Sequence, residues 1–279
     1  GLDPSLVQAS LATSLHEAAG IRPATTEHVL LALNGEYMGV YTRVEQVDEG
    51  FLLRTGRNPG ASIYKVVDRF AEILPSEAAY RAYYEKKTNE DLGHEDVISF
   101  VELINYTPDE DFAAAISAVM DVELFLDRYA VIVLTADADS GRHNIYLIHD
   151  LDTDLWELIP WDLEIGFGVV TAPIDMGTQE HPFGPGGWNL LRTRVLRVPE
   201  FRAYYCQRLD EYMNTIFRDD VLHPQVDAVW GAIVEDGLRD WRKPEWEGNT
   251  LFLDAPARIK AFITHRKEFL RGEMATYCP

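Results

Sequence analysis

Apolar residues first recur at helical spacing over residues 2–19, where Leu6, Ala9, Leu11, Leu15 and Ala18 form one stripe and Gly20 supplies a stop. The pattern then turns strand-like. Residues 28–33 and 36–44 read as two strands around Asn34-Gly35, a pair that tolerates the positive φ of a tight hairpin turn. After a loop at 56–60, residues 62–66 (SIYKV) form a short strand. Helical spacing returns at 76–87 with Tyr80, Tyr83 and Tyr84 on one face, at 94–105 with Val97, Phe100, Val101 and Ile104, and at 109–119. Asp121 is placed to cap a further helix running through Ala136. Two apolar strand-like runs follow at 145–149 and 155–160, and the aspartate-rich stretch 150–154 between them predicts a hairpin. Beyond an irregular stretch at 171–187, rich in Gly and Pro and containing Glu180 and His181, helices are expected at 188–196, 199–217, 219–235 and 255–270. The class implied is α+β: a small antiparallel β part near 28–66, then a mostly helical part carrying an inserted β-hairpin.

The polar residues at the open end of that hairpin carry the chemistry. Asp139 stands five residues before Asn144, and Asp162 follows the second strand of the hairpin, so Asn144 and Asp162 meet at its mouth. A carboxylate to take a hydroxyl proton, with an amide oxygen and a second carboxylate to hold Mg²⁺ against phosphates, is the set needed for phosphoryl transfer to a hydroxyl. The same residues also read as a plain turn at Asp139-Ser140-Gly141, with Asp162 as a loop or capping residue. Lys65 on the short strand is either a point charge for phosphates or an exposed strand lysine. Glu45 pairs with a lysine or faces solvent. The hairpin between Gly35 and Gly39 has the form of a phosphate-cradling loop, but Gly39 reads more simply as a strand glycine that permits close packing. Arg192, Arg194 and Arg197 read as surface ion-pair residues or contacts for an acidic group.

The net charge of −21 disfavours nucleic acid or an anionic membrane as the main partner, since both need a cationic face. It suits a basic substrate, or high solubility alone. No run of about 18 apolar residues appears, so no transmembrane helix is expected. Cys206 and Cys278 make neither a disulfide framework nor a zinc pattern, and they leave the compartment open. The chain opens at Gly1 without Met, as a processed or trimmed fragment would.

Three stretches resemble the CotH family, atypical kinases first known from the bacterial spore coat. One is Asp139 with His143-Asn144-Ile145-Tyr146-Leu147, followed by Trp156-Glu157-Leu158-Ile159-Pro160-Trp161-Asp162-Leu163-Glu164 and Phe167-Gly168. The second is Asn34-Gly35-Glu36-Tyr37 with Gly39-Val40-Tyr41, Glu45, Asp48 and Phe51-Leu52. The third is the arginine- and phenylalanine-bearing run at 258–270. The resemblance spans about residues 2–270. It implies a single atypical protein-kinase-like domain over 1–279, with a β-containing part to about residue 70 and a helical lobe with the active-site hairpin beyond. It also implies ATP and Mg²⁺ as cofactors, Asp139 as the catalytic residue, Asp162, Asn144 and Glu164 at the metal, and Lys65, Glu45 and Asn144 at the nucleotide. The implied substrate is a protein, Ser-rich and basic, and the implied setting is the spore coat or cell surface. Glu164 departs from the family, which usually has Asp there. Members usually carry further sequence before this point that builds much of the nucleotide lobe, so the chain is expected to be N-terminally incomplete and to bind ATP weakly. Three functions stay open: phosphorylation of Ser/Thr hydroxyls, a noncatalytic surface or adhesion module of the same fold, and another ATP-dependent transfer such as adenylylation or amino-acid ligation.

Overall fold

The computed structural model describes residues 3–137, 139–168, 189–240 and 250–278. The expected loop at 171–187, with Glu180 and His181, lies outside them, as does Trp188. The first helix, α1 (Gln8–Ala18), begins six residues later than its apolar stripe suggested. The Asp3 carboxylate accepts hydrogen bonds from the backbone N–H of Ser5 and of Gln8, which holds the preceding residues in a turn. Strands β1 (Thr26–Leu33) and β2 (Glu36–Val44) form the expected hairpin, with Asn34 and Gly35 both at positive φ. They make a sheet of their own.

Helix α2 (Glu49–Thr55) is capped by Asp48 and leads to β3 (Ser62–Val66). Helix α3 (Glu77–Tyr83) stops short of its expected end, because β4 (Tyr84–Lys86) pairs antiparallel with β3. Next come α4 (Glu95–Tyr106), α5 (Asp109–Val119) and α6 (Val122–Thr135), the last capped by the Asp121 side chain as expected. Strands β5 (Ile145–Asp150) and β6 (Leu155–Pro160) close the predicted second hairpin. The remaining helices are α7 (Leu190–Val195), α8 (Pro199–Asn214), α9 (Asp219–Arg239) and α10 (Thr250–Tyr277).

The architecture is α+β, as read from the pattern, but the second hairpin does not stand alone among helices. It joins β3 in a four-stranded antiparallel sheet ordered β4-β3-β5-β6. Side chains alternate across a sheet. On one face Tyr64, Val66, Ile145, Leu147 and Leu158 pack into the large helical core. On the other, Ile63, Tyr146, Ile148 and Ile159 cover Phe51 and Leu52 of α2 in a second, smaller core. Both faces are buried, which is why these strands read as continuous apolar runs.

The β1–β2 hairpin instead leans on α9. Tyr37 Oη donates to the Asp236 carbonyl at 2.9 Å. Gly39 has φ +117, and a Cβ there would lie 2.1 Å from Asp240 Oδ2, so its absent side chain serves close packing. The two cysteines that formed no framework on paper are bonded to each other, Cys206 on α8 to Cys278 just beyond α10. Among the described residues, no helix is long and apolar enough to cross a membrane.

Candidate active site

Helix α6 sets up the site. Its residues from Phe125 to Thr135 are buried almost without interruption, so its end is fixed in the core. It closes on Ala136 in the left-handed conformation (φ 52), with Asp137 N–H returning to the Ile132 carbonyl. The chain then turns outward. Buried Asp137 organises that turn: Oδ1 accepts from Asp139 N–H at 3.1 Å and Oδ2 from Ser140 Oγ at 2.7 Å. Burial, aided by the nearby charge of Asp139, pushes the Asp137 carboxyl up to about 7 against the pull of its hydrogen bonds and of Arg128. Sequence reasoning passed over Asp137, although its place two residues before Asp139 was a signal.

Asp139 is half-buried and held at both oxygens. Asn144 Nδ2 donates to Oδ2 at 2.8 Å, and His143 Nε2 lies 2.8 Å from Oδ1. With its amide nitrogen committed, Asn144 presents its Oδ1 as the free acceptor. The mouth of the β5–β6 hairpin is closed by Trp161 N–H donating to the Asn144 carbonyl at 3.1 Å. Asn144 and Asp162 flank it, and both adopt positive φ, 58 and 59. Left-handed backbone at a non-glycine residue costs energy and concentrates at functional positions.

Beyond Asp162 the chain is pinned at two points that sequence did not reveal. Phe167 N–H donates to the Thr135 carbonyl at 2.8 Å, and Gly166 N–H to Gln8 Oε1 at 2.6 Å. A Cβ on Gly166 would sit 3.1 Å from that same Thr135 carbonyl oxygen, so the segment lies flat on the end of α6. Asp162 is thereby fixed from both sides.

The charges then converge. The Asp162 carboxyl is raised above the usual range, first by the protein packed around it, then by Glu164 and Asp139, while Lys65 and His143 pull it back. The charges of Asp139, Glu164 and Lys65 therefore all act on Asp162. Lys65 lies opposite Tyr146 in the sheet, with Nζ 5.9 Å from the centre of the Trp161 ring. Glu45 is placed elsewhere. It bonds the guanidinium of Arg54 and the N–H of Thr25, at the base of the first hairpin. Among the described residues no three His, Cys, Asp or Glu side chains converge into a metal cage. The donor set of Asn144 and Asp162, with Glu164 beside it, instead fits Mg²⁺ arriving with a nucleotide, which takes one or two protein carboxylates and completes its shell with phosphates and water.

Arg192 and Arg194, expected at the surface, are buried. Arg192 donates to Tyr129 Oη, and Arg194 to the carbonyls of Ile104 and Thr107 and to Asp109. Each guanidinium satisfies groups inside the helical core, a role that short-range pattern does not disclose.

The far end of the β5–β6 hairpin carries a histidine held between two carboxylates. His149 is buried, stacked on Trp156 with centroids 4.1 Å apart, and bonded through Nδ1 to Asp96 and through Nε2 to Asp154 in the turn. Burial opposes its charge most strongly, yet the two carboxylates outweigh burial and hold its pKa above 6.5. A pKa raised on folding contributes stability that is complete below the unfolded value and lost as pH rises through the folded one. Thermal unfolding followed from pH 6 to 9 is expected to show a melting temperature that falls with pH, and Asp96→Asn is expected to flatten that slope.

Comparison with known proteins places these features in context. The family profile described as CotH kinase protein matches residues 1–270. Inner spore coat protein H of Bacillus subtilis (strain 168) is 28% identical over 280 residues, an alignment covering 98% of this chain and 76% of that protein.

Proposed function

Because the chain belongs to the CotH kinase family, we propose that it transfers the terminal phosphoryl group of ATP to Ser or Thr hydroxyls of a protein, with Mg²⁺. What supports this reading most is the convergence of Asp139, Asn144, Asp162 and Lys65 near the mouth of the β5–β6 hairpin. Phosphoryl transfer asks little covalent chemistry of the protein; it asks for positioning and charge.

In this reading Asp139 orients the attacking hydroxyl and accepts its proton. The bond from Asn144 and the contact with His143 fix the carboxylate plane and still leave lone pairs for the hydroxyl. Asn144 Oδ1 and Asp162 would hold the metal, with Glu164 reaching it directly or through water. The metal, when bound, offsets charge on the phosphate oxygens. Lys65 adds a point charge from the sheet, steadied by Trp161. The net charge of −21 favours a basic segment around the acceptor hydroxyl.

The test is the intact mass of the protein and of a basic Ser-rich peptide after incubation with Mg·ATP, beside an Asp162→Ala variant. A phosphate-sized gain on either, absent in the variant, is the expected result. A nucleotide-monophosphate-sized gain would replace phosphorylation with nucleotidyl transfer. No gain, together with no Mg·ATP binding, would make the chain a noncatalytic module.

A further inference from the structure

A cavity of about 260 Å³ lies away from the active site, beside β6 at the end of the four-stranded sheet. It is bounded by the loop at Arg57 and Asn58, the start of α6, and the β5–β6 hairpin near its turn. Ile21, Met120, Leu124, Phe125 and Leu158 give it apolar walls. Asp121, Thr153 and Leu155 also line it and are exposed, so it opens to solvent on that side. Leu155 at the rim and Leu151 in the neighbouring turn carry apolar surface outward from the opening.

The mouth of this cavity is acidic. Glu157 is spent on Arg57, and Asp154 on His149. The hydrogen bonds to Asp121, Asp150 and Asp152 come from neutral donors, the Leu124 N–H and the Asn58 amide, and leave those charges in place. Arg128, which also touches the cavity, is buried and answered by the Asp137 charge. A cavity of about 150 Å³ is known to admit benzene, so this one has room for a large apolar side chain, whose burial drives binding. The carboxylates sit on two segments, the start of α6 and the hairpin turn. Several cations spaced around one apolar group match that layout better than a single small cation does, and that is the layout of a short basic peptide.

We propose that this cavity is a docking site for a basic peptide segment, taking one large apolar side chain while flanking lysines or arginines meet Asp121, Asp150 and Asp152. It stands roughly 15 Å from the hairpin mouth, at about 3.3 Å per strand residue. None of the groups assigned to phosphoryl transfer lines it, so the proposal does not rest on that reading.

Calorimetric titration of the whole protein at low salt, without nucleotide, tests the proposal. The probe is the peptide Lys-Lys-Gly-Phe-Gly-Lys-Lys, which has no hydroxyl to phosphorylate. Beside it stand the same peptide with Ala for Phe and the same peptide with Glu for every Lys. The Phe-bearing lysine peptide is expected to bind saturably and at least about tenfold more tightly than either. Leu124→Trp fills the cavity from its wall and is expected to erase the preference for Phe over Ala while the circular dichroism stays native. Asp152→Lys, in the exposed turn and off the cavity wall, is the variant that spares the fold, and it is expected to weaken the lysine peptide at least about threefold. Equal affinity for the Phe and Ala peptides would leave only diffuse attraction between charges and overturn the proposal. No saturable binding up to about 1 mM, a glutamate peptide that binds as tightly, a Phe preference that survives in folded Leu124→Trp, or unchanged affinity in Asp152→Lys would each overturn it as well.

Discussion

Asp139→Asn is expected to slow transfer to a Ser-bearing peptide by about 10²- to 10⁴-fold while Mg·ATP affinity changes little. The substitution keeps an oxygen for Asn144 to donate to and removes the charge and the basicity. It also relieves Asp162. The Asp139 charge is one of the influences raising the Asp162 carboxyl, so its removal lets Asp162 ionise more readily and leaves metal binding intact or improved. Turnover and nucleotide affinity should therefore separate in Asp139→Asn, whereas Asp162→Ala should lose both. Single-turnover rates and calorimetric Mg·ATP affinity, measured on both variants, check this. Parallel loss of affinity and rate in Asp139→Asn would make Asp139 a structural residue of the turn.

The second large effect concerns stability. Opening the Cys206–Cys278 bond is expected to cost roughly 4 kcal/mol, the loop-closure entropy released when a constraint between residues 72 positions apart is lost. For a chain of 279 residues that corresponds to about 7 °C in melting temperature. The bond ties α8 to the end of α10, and Arg266 of α10 donates to the Val133 carbonyl on α6, the helix that ends at the turn held by Asp137. The fall in melting temperature caused by Cys206→Ser and the fall caused by reductant in the parent should agree with each other. A shift under about 1 °C in both would show that packing of α10 alone holds the C-terminus.

The elements that sequence disclosed are those whose signal is local. Asn34-Gly35 announces its turn by φ preference, Asp121 announces its helix by capping, and 145–160 announces a hairpin by two apolar runs about an acidic turn. Asn144 and Asp162 were legible as neighbours because the mouth of the hairpin brings them together, whereas Asp139 also depends on the turn that Asp137 holds. What was missed depends on partners far along the chain. β4 was read as helix because its strand character comes only from β3, and Gln8 gained its role from Gly166, 158 residues later. The burial of Arg192 and Arg194 and the pairing of the cysteines likewise follow from how helices pack, which helical periodicity does not encode. Asp137 was overlooked for another reason: its work is done on backbone and hydroxyl groups of its own turn, where an aspartate is ordinary.

The four-stranded sheet has a consequence for the birth of the protein. Val66 finds its neighbour in Ile145, and three helices and the whole of α6 lie between them in the chain. On a ribosome adding about 5–20 residues per second, the central strand emerges roughly 4–16 s before the strand that must cover it. During that interval SIYKV offers an unpaired edge bearing Ile63, Tyr64 and Val66 to its surroundings, an arrangement prone to pairing with a neighbouring nascent chain. Slower translation lengthens that exposure, so the yield of soluble protein should depend on how quickly residues 67–150 are synthesised.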